Sequence, residues 1–105
     1  MTKPWRIHAE AVAEIRATFE WYSAQRLALG REFLAELRHT TSQLRAAPTI
    51  STPDRTASPE LKIRRRRVQR FPYAVVFMEA TNEYVILAVE HLAREPGYWR
   101  ERATK

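Results

Sequence analysis

Two stretches near the C-terminus, Tyr73–Glu79 (YAVVFME) and Tyr84–His91 (YVILAVEH), are apolar at odd and even positions alike. Alternate side chains of a strand point to opposite faces, so strands of this kind need cover on both sides and sit inside a sheet. That demand constrains everything else in a chain of 105 residues, which has room for one small domain, spanning 1–105, and one shared core.

The cover is legible upstream. Trp5 and Ile7 alternate with Arg6 and His8, so Lys3–His8 is predicted as a first strand, with Pro4 tolerated at its start. From Ala9 the period lengthens. Val12, Ile15, Phe19 and Tyr22 define an amphipathic helix to about Leu27, with Glu10, Glu14 and Arg16 on other faces. A break near Leu29-Gly30 precedes a second stripe of Phe33, Leu34, Leu37, Thr41 and Leu44, which ends before Pro48. Pro48–Pro59 is rich in proline, serine and threonine and is predicted as a long loop. Leu61–Val68 (LKIRRRRV) then joins the two apolar stretches in an antiparallel meander, with turns at Gln69–Pro72 and Ala80–Glu83. The expected fold is α+β, in the order β-α-α-β-β-β: a helical hairpin packed on a mainly antiparallel four-stranded sheet, with an aromatic C-terminal tail. Two helices cover one face. The other is left to the tail, a partner chain, or both.

Several chemistries are excluded by what the chain lacks. It has no cysteine, and its two glycines, Gly30 and Gly97, cannot build a phosphate-cradling loop, so no nucleotide cofactor is expected. His8, His39 and His91 are isolated from one another and from carboxylate clusters, so no metal site is expected. The N-terminal residues lack the apolar run of a signal peptide, and no segment approaches the roughly 20 apolar residues of a membrane span. A cytoplasmic location with no membrane partner is the expectation.

The net charge of +6 is concentrated. Residues 1–60 hold eight Lys/Arg against seven Asp/Glu, and residues 61–105 hold ten against five. Its centre is Arg64-Arg65-Arg66-Arg67, flanked by Lys62 and Arg70. Alternation places two guanidinium groups on each face, which requires an edge strand or a bulge. Two readings stand side by side: an edge protected by charge, or a row of oxyanion donors facing nucleic acid or an acidic partner.

The tail, His91 to Arg102, reads first as a clasp. Pro96-Gly97 makes a turn, and Trp99 docks on the open sheet face. Tyr98 and Arg94 are open to a second use, stacking on a base or holding a phosphate. His91 ends a strand and could serve as general acid or base, or as a hydrogen-bonded structural histidine.

Taken together, Ala11-Val12-Ala13-Glu14-Ile15, Trp21-Tyr22, Leu29-Gly30-Arg31-Glu32-Phe33-Leu34, Ile63-Arg64-Arg65, Arg70-Phe71-Pro72-Tyr73 and the tail from His91 to Arg102 resemble the RelE/ParE superfamily of type II toxin–antitoxin toxins, often called plasmid stabilisation proteins. The F-P-Y segment followed by H-x-x-R-x-P-x-Y-W carries most of the likeness, with Phe71, Pro72, Tyr73, Pro96 and Trp99 as structural anchors. The resemblance implies a cognate acidic antitoxin, with operator DNA bound only through it. It also implies one of two targets, DNA gyrase in the ParE-like branch or ribosome and mRNA in the RelE-like nucleases. For a metal-free nuclease the matching positions are Lys62, Arg64 and Arg65 on phosphate, with His91, Arg94 and Tyr98 as catalytic candidates. Tyr73–Glu79 lacks the basic residue that the nucleases commonly carry there, and the F-P-Y and P-x-Y-W arrangement is nearer the ParE-like branch. A basic binding module without toxicity is the remaining alternative.

Overall fold

The computed structural model describes residues 3–54 and 57–104; positions 55 and 56 of the predicted loop lie outside them. The elements run β1 (Trp5–Ile7), α1 (Ala9–Gln25), α2 (Leu27–Ala46), β2 (Thr52–Pro53), β3 (Ile63–Arg67), β4 (Tyr73–Glu79) and β5 (Tyr84–His91), and the tail ends in a 3-10 turn at Arg100–Thr104. The sheet order is β1-β5-β4-β3-β2. β1 lies parallel to β5, and every other pairing is antiparallel. The two doubly apolar strands are adjacent and central, as their sequence requires.

The sheet has five strands where four were expected. The extra one, β2, lies within the predicted loop and pairs Thr52 with Arg65 and Pro53 with Arg64. Asp54 N–H extends the ladder to Ile63 C=O at 2.9 Å. A proline at a sheet edge forfeits no ladder bond when its missing N–H would face solvent, so loop-like composition does not forbid two residues of pairing. β3 is therefore second from the edge rather than outermost, and its pairing begins at Ile63. Lys62 precedes it in a left-handed conformation (φ 51°).

The helical hairpin turns earlier than predicted. Arg26 is extended (φ −165°, ψ 124°) between the helices, and Gly30 lies within α2. A Cβ at Gly30 would collide with Ser23 Oγ and come within 3.1 Å of the Phe19 carbonyl oxygen, so this glycine serves close helix crossing, not a chain break. The packing stripe of α1 keeps Ile15 and Tyr22 as predicted and differs at its start. Ala11 and Tyr22 are buried while Val12 is exposed. Thr40 rather than Thr41 is buried on α2, its hydroxyl donating to Glu36 C=O at 2.9 Å.

Two cores result. Tyr22, Phe33, Leu37 and Leu44 meet Phe71, Tyr73, Val75, Phe77, Ile86 and Val89 on the helical face. Ile63, Val76, Val85, Leu87 and Ala88 surround Trp99 on the other. The β4–β5 register shifts between Val76 and Phe77, which pair with Ala88 and Ile86, so Leu87 is the additional residue of a bulge. The bulge turns both Leu87 and Ala88 toward the tail and widens the apolar seat for Trp99. The second face, which the sequence left to tail or partner, is covered here by the tail.

Candidate functional site

The tail is fastened by two ionic knots, and both recruit residues that the sequence offered for function. In the first, Glu90 of β5 is 2% exposed, and its carboxylate accepts the Trp99 indole N–H at 3.1 Å. Its other oxygen meets Arg65 Nη2 at 2.6 Å, and Arg65 also lies 3.5 Å from Asp54. A buried carboxylate needs a cation, and the arginine strand supplies one from two strands away.

The second knot closes the part of β5 that β1 leaves unpaired. Glu14 Oε1 accepts the backbone N–H of Val89 at 3.0 Å. Its Oε2 accepts the Tyr98 hydroxyl at 2.7 Å and Arg102 Nη2 at 3.0 Å. Arg102, 8% exposed, also donates to Leu87 C=O at 2.9 Å. Arg94 stacks on the Tyr98 ring at 3.5 Å from its centroid, with its Nη1 3.7 Å from Glu14.

Burial raises the Tyr98 hydroxyl pKa, and its hydrogen bond to Glu14 raises it further. The phenol stays protonated through the neutral range, which suits a donor to a carboxylate. In the unfolded chain it ionises near its ordinary value of 10.0. The folded form thus binds the proton more tightly, so this contribution is complete below about pH 10 and is lost as pH rises toward the folded value. We expect urea stability to fall above about pH 10, and to fall less steeply in Tyr98→Phe; identical alkaline slopes would contradict this.

His91 stands apart from that knot. Its Nδ1 accepts the Ala93 backbone N–H at 3.0 Å, and its ring meets Tyr73 edge-on at 4.9 Å. It lines a shallow apolar groove with Thr18, Trp21, Tyr22 and Pro72 on the helical side. Of the three catalytic candidates, the structure brings Arg94 and Tyr98 together and gives His91 different neighbours.

The basic run is divided in the same way. Arg65 belongs to the tail knot. Arg70, in the β3–β4 turn at φ 70°, reaches Glu36 at 3.4 Å and Glu32 at 3.8 Å. Arg66 donates to the neutral Gln43 amide of α2 at 3.1 Å. Arg64 is half-buried, and its charge helps hold the Glu79 carboxyl below its usual range, after the stronger effect of Lys3. Arg67 is exposed and has no side-chain partner among the described residues. Phe71 and Tyr73 enter the helical core, and Trp99 is fully buried. Pro72 C=O accepts Leu92 N–H at 2.9 Å, tying the start of β4 to the end of β5. Pro96 precedes Gly97, whose φ of +80° turns the tail back toward the sheet. Among the described residues no group of three His, Cys, Asp or Glu could hold a metal ion.

The model of the ParE toxin of the type II toxin–antitoxin system, parDE, matches residues 5–96. The chain belongs to the ParE toxin family. Among solved structures, a chain titled as the chromosomal ParDE TA system from P. aeruginosa superposes with a TM-score of 0.72 at 14% identity, covering 86% of this chain and 96% of that one. At that identity the likeness establishes the fold alone. No curated protein sequence matches. The family match ends at Pro96, so Tyr98, Trp99 and Arg102 of the clasp lie beyond the matched span of this ParE-family chain.

Sequence reading missed Glu14, Glu90 and Arg102 as members of these knots. A signal existed for one of them. Glu90 is an acid inside a strand otherwise apolar on both faces, and such a residue demands a buried cation. Glu14 offered less, because beside Val12 and Ile15 it reads as part of a solvated helix face.

Proposed function

We propose that this ParE-family toxin arrests growth by binding DNA gyrase, without bond chemistry of its own, and that a cognate acidic antitoxin neutralises it. The supporting observation is the engagement of Tyr98. Its hydroxyl is donated to Glu14, its pKa is raised, and its ring lies under Arg94. A tyrosine held this way is a poor proton carrier near neutral pH and a good strut. β4 also presents no basic side chain to a scissile phosphate. Together these favour a surface that works by contact, displayed by a rigid sheet.

On this reading Lys62, Arg64, Arg66 and Arg67 attract anionic partners, the protein acts in the cytoplasm, and operator DNA is met only through the antitoxin. The decisive experiment adds purified toxin to a gyrase supercoiling assay and, separately, to a cell-free translation mix. Supercoiling is expected to stop while translation continues. Cleaved mRNA in the second assay, abolished by His91→Ala or Tyr98→Phe, would replace the proposal with the nuclease reading. Normal growth on expression without antitoxin would favour a binding module instead.

A further inference from the structure

The division of the arginine run leaves one cleft with uncompensated charge. It has a volume of about 490 Å³ between the C-terminal part of α2, β2 and the end of β3, and its walls include Gln43, Ser51, Arg65, Arg66, Arg67 and Gln69. Among the described residues no acidic side chain lines it. Arg65 is neutralised by Glu90 and Asp54 on the tail side, and Arg70 by Glu32 and Glu36 outside the cleft. Arg66 is held by a neutral amide, and Arg67 has no side-chain partner among the described residues. Neither therefore has a compensating carboxylate among the described residues.

Their placement on the strand gives this charge a shape. Neighbouring residues of β3 point to opposite faces, so Arg66 approaches from the helical side and Arg67 from the tail side. β2 reaches only as far as Arg65, opposite Thr52, so the strand edge beyond it is not paired by β2. The β3 backbone faces β2 at Ile63, whose carbonyl accepts Asp54 N–H, and faces β4 at Lys62 and Val68. By the same alternation the backbone N–H of Arg67 points outward, at the open edge between the two faces. A second, independent observation lies in the wall of the cleft. Ser51 is 4% exposed, and its hydroxyl has no hydrogen-bond partner among the described residues. A buried hydroxyl without a partner is uncommon and unfavourable, and a rotation about its Cα–Cβ bond re-aims it.

We propose that this cleft is a phosphate-class oxyanion site, with Arg66 and Arg67 as charged donors and Ser51, Gln69 and the Arg67 backbone N–H as neutral ones. Donors converging from both faces and the edge of a strand match the several oxygens of a tetrahedral oxyanion better than the two coplanar oxygens of a carboxylate. The site goes beyond the gyrase reading and stands without it, since a toxin can hold phosphate and leave supercoiling untouched. Its ligand is either free phosphate or a phosphodiester of the nucleic-acid backbone.

The test is NMR titration of the full chain with inorganic phosphate and, separately, with a short DNA duplex. Saturable shifts are expected at Ser51, Thr52, Arg66, Arg67 and Gln69. An Arg66→Gln/Arg67→Gln variant should bind at least about tenfold more weakly, as expected when two charge-assisted hydrogen-bond donors are lost. Arg70→Gln should bind as the parent does. Tighter binding of duplex, with a salt slope reduced by about one for each arginine removed, identifies backbone phosphate. Equal binding of both, with no such slope, identifies the free anion. Ser51→Ala removes a single oxygen and carries the test independently if the double variant unfolds, with weaker phosphate binding expected. Non-saturating shifts spread over Lys62, Arg70 and Arg94, or affinity unchanged in both the double variant and Ser51→Ala, would overturn the assignment.

Discussion

Replacing Glu14 by alanine is expected to lower the unfolding free energy by about 3–5 kcal/mol, the range for breaking a buried ion pair from one side. Four groups converge on that carboxylate: Val89 N–H, the Tyr98 hydroxyl, Arg102 and, more distantly, Arg94. The largest part of the loss comes from Arg102. It is almost fully buried, so without Glu14 its charge keeps the Leu87 carbonyl at 2.9 Å and a Glu10 carboxylate 3.8 Å away, the latter largely exposed. Glu14→Gln should be milder but still destabilising, because an amide can accept from Val89 while its NH₂ would face the donors of Arg102 and Tyr98. For a domain of this size each kcal/mol corresponds to about 4–8 °C in melting temperature. A thermal melt of Glu14→Ala within a few degrees of the parent would show that the knot carries little of the stability.

Trp99→Ala is the second large effect, expected at about 3–5 kcal/mol. Trp99 is the largest fully buried side chain, and it fills the seat made by Ile63, Val76, Val85, Leu87 and Ala88. Its removal opens a cavity across the tail face and leaves Glu90 Oε1 without the indole N–H. Set against the roughly 5–15 kcal/mol of a typical domain, this is about a fifth of the total or more. Trp99→Phe retains much of the volume and should fall between the two. Urea midpoints followed by circular dichroism would measure both, since Trp5 and Trp21 complicate a fluorescence readout. The two clasp sites should couple. Once either truncation frees the tail, the other has less to remove, so the double variant is expected to lose less than the sum. Strict additivity would mean that the tail does not move as one unit.

The fold was legible where periodicity had one solution. β4 and β5 could only be central, and the stripes of α1 and α2 could only form a hairpin, because no other arrangement buries those side chains. It was less legible where a pattern fitted two registers. Val12 is the more apolar of two neighbours and so looks like the buried one, yet Ala11 is buried and Val12 exposed; the packing of α1 on β5 decides it. β2 was hidden because Thr52 and Pro53 have no strand signal of their own, and they pair only because β3 offers an edge.

The charge-rich tail region shows the same boundary. Sequence alone determined that four consecutive arginines cannot all be buried, that Trp99 needs a seat, and that the net charge lies in the last 45 residues. Which arginine is free and which is bound was decided by tertiary structure. Arg65 is held by Glu90, 25 positions away in the chain, and Arg70 by Glu36, 34 positions away. The physical reason is that a charge acts through distance in space and the dielectric around it, and separation along the chain carries neither quantity. Composition counts the charges. The fold assigns them, spending Arg65 and Arg102 on the clasp and leaving Arg66 and Arg67, on opposite faces of β3, to line one cleft.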